Sequence, residues 1–253
     1  MSYQDKYEPP YPQNQLECNE YCERLVAALS SKLKDRLVCV LLSGSWATGE
    51  AKPPKSDIDI SVVVDYVDDN LLDSLREAWK QSKTSYANIY GLDEIDSMSH
   101  EAFHMYTFNA VLLYGTNPFP YPDKKDFALD LASTTEVMAR MARNIEFAYW
   151  LTEEEISDNL SYLLSKNCLR RTLMNLVAFR TGRYPGKFSD CLGLLENDNE
   201  YDFIIWLESL TDQQKLQQHS VIARKLSQWA RDWFKEIRDF RTKSGKDTVI
   251  NIT

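Results

Sequence analysis

Two periodicities divide the chain. In the first half, short apolar runs alternate with helical stripes. From Leu16 to Leu33 the residues Leu16, Tyr21, Leu25, Val26 and Leu29 recur at a spacing that predicts an amphipathic helix. Leu37 to Leu42 and Asp57 to Val64 are short and rich in Val, Ile and Leu, so they read as buried strands. Asn70 to Gln81 places Leu71, Leu72, Leu75 and Trp79 on one stripe, a second helix. Tyr86 to Leu92 reads as a third strand and Val111 to Tyr114 as a further apolar run. Strand and helix in alternation predict an α/β (α+β) domain with a mixed sheet over residues 1–120, closed by Gly115-Thr116-Asn117-Pro118.

Beyond Pro122 the pattern changes. Ala128–Leu151, Leu160–Phe179, Phe203–Leu210 and Leu216–Phe240 all space their apolar residues by three and four, and no strand pattern is found. This predicts an all-helical C-terminal domain, a bundle, over residues 121–253. Trp229, Trp233 and Phe234 share that spacing and read as core. Residues 1–14, with Pro9, Pro10 and Pro12, read as an irregular arm, and Thr242 to Thr253 as a frayed tail.

Composition narrows the class. Of 253 residues, 43% are hydrophobic and 26% charged, the balance of a globular protein. No apolar run reaches the eighteen or so residues of a membrane span, and the N-terminus lacks the basic-then-apolar plan of a signal peptide. A cytoplasmic protein without membrane contact is expected. Among the five cysteines, Cys18, Cys22, Cys39, Cys168 and Cys191, the one close pair is Cys18 and Cys22, a helical turn apart. No second pair completes a zinc site, and all five read as free thiols. His100 and His104 lie four apart and could share a helix face, but no third metal ligand accompanies them.

The net charge of −9 is unevenly placed. Residues 1–120 carry 18 acids against 10 bases, residues 121–253 carry 20 against 19. Asn159 to Ser189 contains no acid and six bases: Lys166, Arg170, Arg171, Arg180, Arg183 and Lys187. Such a segment attracts an anion locally. The acidic whole argues against a broad surface for duplex nucleic acid.

The candidate chemistry lies between the first two strands, in LVCVLLSGSWATGEAKPPKSDIDISVVVD. Residues i and i+2 of a strand share a face, so Asp57 and Asp59 present two carboxylates side by side. Their repulsion is relieved by a cation, and magnesium suits a carboxylate pair that also meets substrate phosphates. Gly44 frees the backbone for a tight turn and close approach of a phosphate.

The segment Gly44-Ser45, eleven residues, then Asp57-Ile58-Asp59-Ile60 resembles the signature of the DNA polymerase β-like nucleotidyltransferases. The fuller GSWATGEAKPPKSDIDI is most similar to the small bacterial members, which include the aminoglycoside adenylyltransferases. The resemblance implies that Gly44 and Ser45 hold nucleotide phosphates and that Asp57 and Asp59 are the catalytic, Mg2+-binding pair. Thr48 stands where many relatives carry Arg. A looser resemblance covers RTLMNLVAFRTGRYPGKFSDCLGLL, similar to the helix, Thr-Gly turn and following lysine of streptomycin-modifying adenylyltransferases. It implies that Lys187 reaches the triphosphate in a cleft between the domains.

Together these imply transfer of AMP from ATP to a hydroxyl acceptor, an aminoglycoside-like small molecule being one candidate. The family's third carboxylate is missing, because Asn88 holds its expected position in YANIY, and an amide cannot take a proton at neutral pH. The base could be Asp93 or Glu94, or an acid of the helical domain (Glu136, Glu146 or Glu153 to Glu155). Otherwise turnover is lost and nucleotide binding kept. Transfer to tRNA or a protein, as in some toxin relatives, is a further alternative.

Overall fold

The computed structural model describes residues 12–80, 86–98, 106–147, 150–196 and 198–244. The chain forms two compact units, Met1–Pro122 and Asp123–Thr253. The first is a mixed α/β sheet domain and the second is helical.

In the first unit, α1 (Gln15–Leu33) starts where Asn14 accepts a hydrogen bond from the Glu17 amide at 3.0 Å. The Glu17 carboxylate in turn accepts from the Gln13 amide, a reciprocal cap. Strands β1 (Leu37–Ser43), β2 (Asp59–Val64), β3 (Tyr86–Gly91) and β4 (Val111–Gly115) form one sheet in the order β3-β2-β1-β4. β1 pairs antiparallel with β2 and β4, whereas β2 and β3 run parallel. The parallel step is bridged through α3 (Asp69–Lys80), as a crossover requires. Two short helices complete the unit, α2 (Gly44–Thr48) and α4 (Leu92–Ile95).

The two sheet faces differ. On one, Val40, Leu42, Ile60, Val62 and Val64 pack with Leu25 and Leu29 of α1 and Leu71 and Leu75 of α3. On the other, a smaller cluster of Cys39, Leu41 and Val63 packs with Ile95, Tyr106 and Phe119. On that side the start of β2 is polar, with Asp59 and Ser61.

The second unit comprises α5 (Lys124–Phe147), α6 (Glu153–Leu163), α7 (Leu169–Thr181), α8 (Phe188–Leu194), α9 (Asn199–Ser209), α10 (Asp212–Gln217) and α11 (His219–Ser244). α5 packs on α11 and α7. Trp229 and Trp233 are buried with stacked rings 5.5 Å apart, while Phe234 is half-buried. The segments Leu160–Phe179 and Leu216–Phe240 each prove to be two helices. The first break falls at Ser165-Lys166-Asn167, where the Ser165 hydroxyl accepts from the Asn167 amide. The second falls at Gln218, whose amide closes α10 onto the Gln214 carbonyl. At the tail, Thr242 and Lys243 are helical rather than frayed. The arm over residues 1–11, the segment from 245 onward, and His100 and His104 lie outside the described residues. The ring Nδ1 of His219 lies 2.8 Å from the Leu216 carbonyl oxygen. No helix among the described residues is long and apolar enough to cross a membrane.

Candidate active site

The sequence expectation of a simple Gly-Ser turn is refined. Gly44 and Ser45 open the one-turn helix α2, which ends at Gly49 in the left-handed conformation. Trp46, 2% exposed, sinks from α2 into the larger core and pins it there. Thr48 does not extend outward as an arginine would; its hydroxyl donates back to the Gly44 and Ser45 carbonyls at 3.4 and 3.3 Å.

Gly44 has φ +67°, and a Cβ there would overlap the Asp59 carboxylate, whose Cγ lies 3.0 Å from that position. The backbone of Gly44 is thus in contact with the acid. One strand across, Ser43 pairs with Asp59, and its buried hydroxyl donates to the Asp59 carbonyl at 3.3 Å. Ile58 and Ile60 are fully buried on the helix-covered face. Asp59, the first residue of β2, is half-buried and by alternation faces the opposite side, and Asp57, two residues before the strand, is also half-buried. Gly44 and Asp59 are therefore brought together at the end of the β1–β2 pair, with Asp57 two residues before β2.

Asn88 pairs with Ser61 across the parallel β2–β3 ladder. It shares the face of Asp59, roughly 8 Å away between α-carbons by strand spacing. The alternative register fails. Gly91 pairs with Val64 at the far end of β2, so Asp93 and Glu94 lie beyond that end, about 16 Å from Asp59 along the strand. Glu94 is already engaged there, accepting from the Gly91 amide at 2.8 Å. Tyr90, further along the same face, is no base either, because burial and a 2.9 Å hydrogen bond with Tyr106 raise its hydroxyl well above its usual range.

Two residues of this face escaped the sequence reading. Ser43 supports the Asp59 backbone, and Ser61 is fully buried with a hydroxyl that has no hydrogen-bond partner among the described residues. The signal was present. Asp57, Asp59 and Ser61 form an alternating polar series inside an apolar strand.

Lys187 belongs to the second unit. It is the N-cap residue of α8, half-buried, and its ammonium forms no ion pair with the described residues. Other bases of the acid-free segment are neutralised in space by acids from elsewhere. Arg180 holds Asp198, Glu200 and Glu236 at 2.8, 3.3 and 3.1 Å, and Arg170 holds Glu208 at 3.3 Å. The segment is basic in sequence, and only part of it remains basic in the fold.

Comparison with known proteins gives little. No family model and no curated protein matches the chain. A crystal structure of the spectinomycin adenyltransferase AAD(9) from Enterococcus faecialis, with ATP and spectinomycin, is similar at a TM-score of 0.44 and 14% identity. The match covers 84% of this chain and 98% of that one. A likeness of that size does not decide activity.

The donor chemistry can be tested directly. Among the described residues no group of three or more His, Cys, Asp or Glu side chains could hold a metal ion. The set is the half-buried Asp59 carboxylate beside a glycine with no Cβ to fill the space, with the half-buried Asp57 two residues earlier. That suits Mg2+, which takes one or two carboxylates and completes its shell with water and substrate phosphates.

Proposed function

We propose that the chain is a magnesium-dependent nucleotidyltransferase that passes a nucleoside monophosphate, AMP from ATP, to a hydroxyl acceptor. The supporting observation is the contact of Gly44 with Asp59, and the alternation of the Asp-Ile-Asp motif supports Asp57 beside it. In this reading the triphosphate lies against Gly44 and Ser45, and Asp57 and Asp59 hold Mg2+. The metal supplies neutralisation of charge on the phosphates as the bond to pyrophosphate breaks. The acceptor oxygen attacks the α-phosphorus, pyrophosphate leaves, and the hydroxyl proton passes to a base. Asn88 cannot take it, and Asp93 and Glu94 are too far. Lys187 is the proposed contact to the outer phosphates. An aminoglycoside-like small molecule fits the motif resemblance as acceptor.

Asn88 favours a second reading, nucleotide binding without transfer. Release of pyrophosphate from ATP with Mg2+ and a pool of hydroxyl acceptors separates the two. The transferase reading expects release that is abolished in Asp57→Asn and in Asp59→Asn, with the fold intact by circular dichroism. Near wild-type release by either variant would sink the site assignment. Tight Mg2+-dependent ATP binding with no release for any acceptor leaves the binding reading standing.

A further inference from the structure

A cleft of about 700 Å³ lies within the second unit, lined by the end of α7, the start of α9 and α11. Its volume is within the usual range of small-molecule sites, roughly 300–1,000 Å³. Four carboxylates line it, Asp198, Glu200, Asp232 and Glu236, against two cations, Arg180 and Lys225, an excess of two negative charges. Arg180 is shared by three of the acids, and the fourth, Asp232, meets only the neutral Gln228 amide, at 2.9 Å. Lys225 forms no ion pair with the described residues; its ammonium lies over the Trp229 ring, 5.8 Å from the centroid. These carboxylates do not make a metal centre, because among the described residues no group of three or more acids, His or Cys could hold one. A cation with its charges spread along a chain suits them better.

Acids on a helix face are ordinarily solvated. Glu200 separates this cleft from that case. It is 7% exposed, and its Oε1 accepts from Arg180 at 3.3 Å and from the Trp233 indole at 2.9 Å. Its Oε2 accepts no hydrogen bond from the described residues. Unlike the Ser61 hydroxyl, that oxygen is not sealed from solvent, and the cleft that Glu200 lines is where it opens. A buried carboxylate oxygen without a donor is unfavourable unless something supplies one. An ammonium group would, with a charge-assisted bond. Trp229 and Trp233 line the same cleft and offer apolar surface for the methylenes between charges.

We propose that this cleft binds an aliphatic polyamine, one ammonium on Glu200 and a second on Asp232, its methylenes against Trp229 and Trp233. Binding there requires nothing of the reaction proposed above, since every residue involved belongs to the second unit. The test is calorimetric titration of the full chain at neutral pH without magnesium, using spermidine and the monoamine butylamine. Spermidine is expected to bind saturably, roughly tenfold or more tighter than butylamine, and to resist displacement by an equal concentration of Mg2+. Glu200→Gln keeps an acceptor for Arg180 and Trp233 but should weaken spermidine roughly tenfold or more. Asp232→Asn should also weaken it. Asp232 is exposed and bonded only to Gln228, so the melting temperature of that variant should not fall, which separates lost binding from lost fold. Asp212→Asn, an exposed acid of α10 outside the cleft, and Asp59→Asn should leave spermidine binding unchanged. Absence of saturable binding, equal affinity for butylamine, displacement by Mg2+, full affinity in Glu200→Gln and Asp232→Asn, or an equal loss in Asp212→Asn or Asp59→Asn would each overturn the proposal.

Discussion

At the scale of single residues, Gly44 carries the strictest requirement. A methyl group there meets the Asp59 carboxylate, and φ +67° is unfavourable for any side chain by about 1 kcal/mol. Gly182, at the end of α7, has a similar φ of +75° but open space around its missing Cβ. Gly44→Ala should therefore displace Asp59 and weaken Mg2+-dependent ATP binding. Gly182→Ala should cost only about 1 kcal/mol of stability and leave binding alone. Equal effects of the two on ATP affinity, measured by titration, would detach Gly44 from the site. This level was the most legible in the sequence. Alternation alone puts Asp57 and Asp59 on one face, and a glycine at a strand end announces a left-handed turn. Ser61 was overlooked because a lone serine in an apolar strand looks like a minor irregularity, until its neighbours Asp59 and Asn88 share its face.

Helices and strands were read well where one period ran without interruption, as in α1, α3 and β1 to β4. They were misread where apolar spacing continued across a break. Ser165 to Asn167 and Gln218 each stop a helix through local hydrogen bonds that a count of apolar residues does not register. Charge was misread for a related reason. The stretch Asn159 to Ser189 contains no acid, yet α9 and α11 and the residue before α9 bring Asp198, Glu200 and Glu236 to Arg180. Glu200 is 7% exposed and also accepts from the Trp233 indole at 2.9 Å. Burial opposes the charge on Arg180, but its bonds to Glu236 and the field of Glu200 and Asp198 outweigh this and strengthen its hold on the proton. Arg180→Met should leave these carboxylates uncompensated and destabilise the chain by about 2–4 kcal/mol in urea unfolding. A loss below about 0.5 kcal/mol would show that the cluster is solvated like an ordinary surface pair.

For the molecule as a whole, the five cysteines are free and buried, and they are spread over both units. Burial pushes the Cys39 and Cys168 thiols up from 9.0 to about 11 and Cys191 to about 12. The unfolded chain thus sheds these protons near pH 9, while the folded chain keeps them until pH 11 to 12. Their contribution to stability is complete below pH 9 and is lost as pH rises through that window. Urea midpoints should hold steady from pH 7 to 8.5 and fall between 9 and 11. A flat profile over that range would show the thiols to be solvated. The order of strands has a consequence of another kind. Ser43 and Asp59 pair at the end of one antiparallel ladder, with Gly44 directly after β1 and Asp57 two residues before β2, so residues 49–56 lie in the span connecting them. The span keeps its own shape through the Lys52 carbonyl, which accepts from Lys55 and Ser56, and the Ser56 hydroxyl, which accepts from Lys52. Lengthening a loop costs little free energy once its ends are fixed. Here the chain can acquire new residues, and with them a new surface beside Gly44, while Asp59 stays where the sheet puts it.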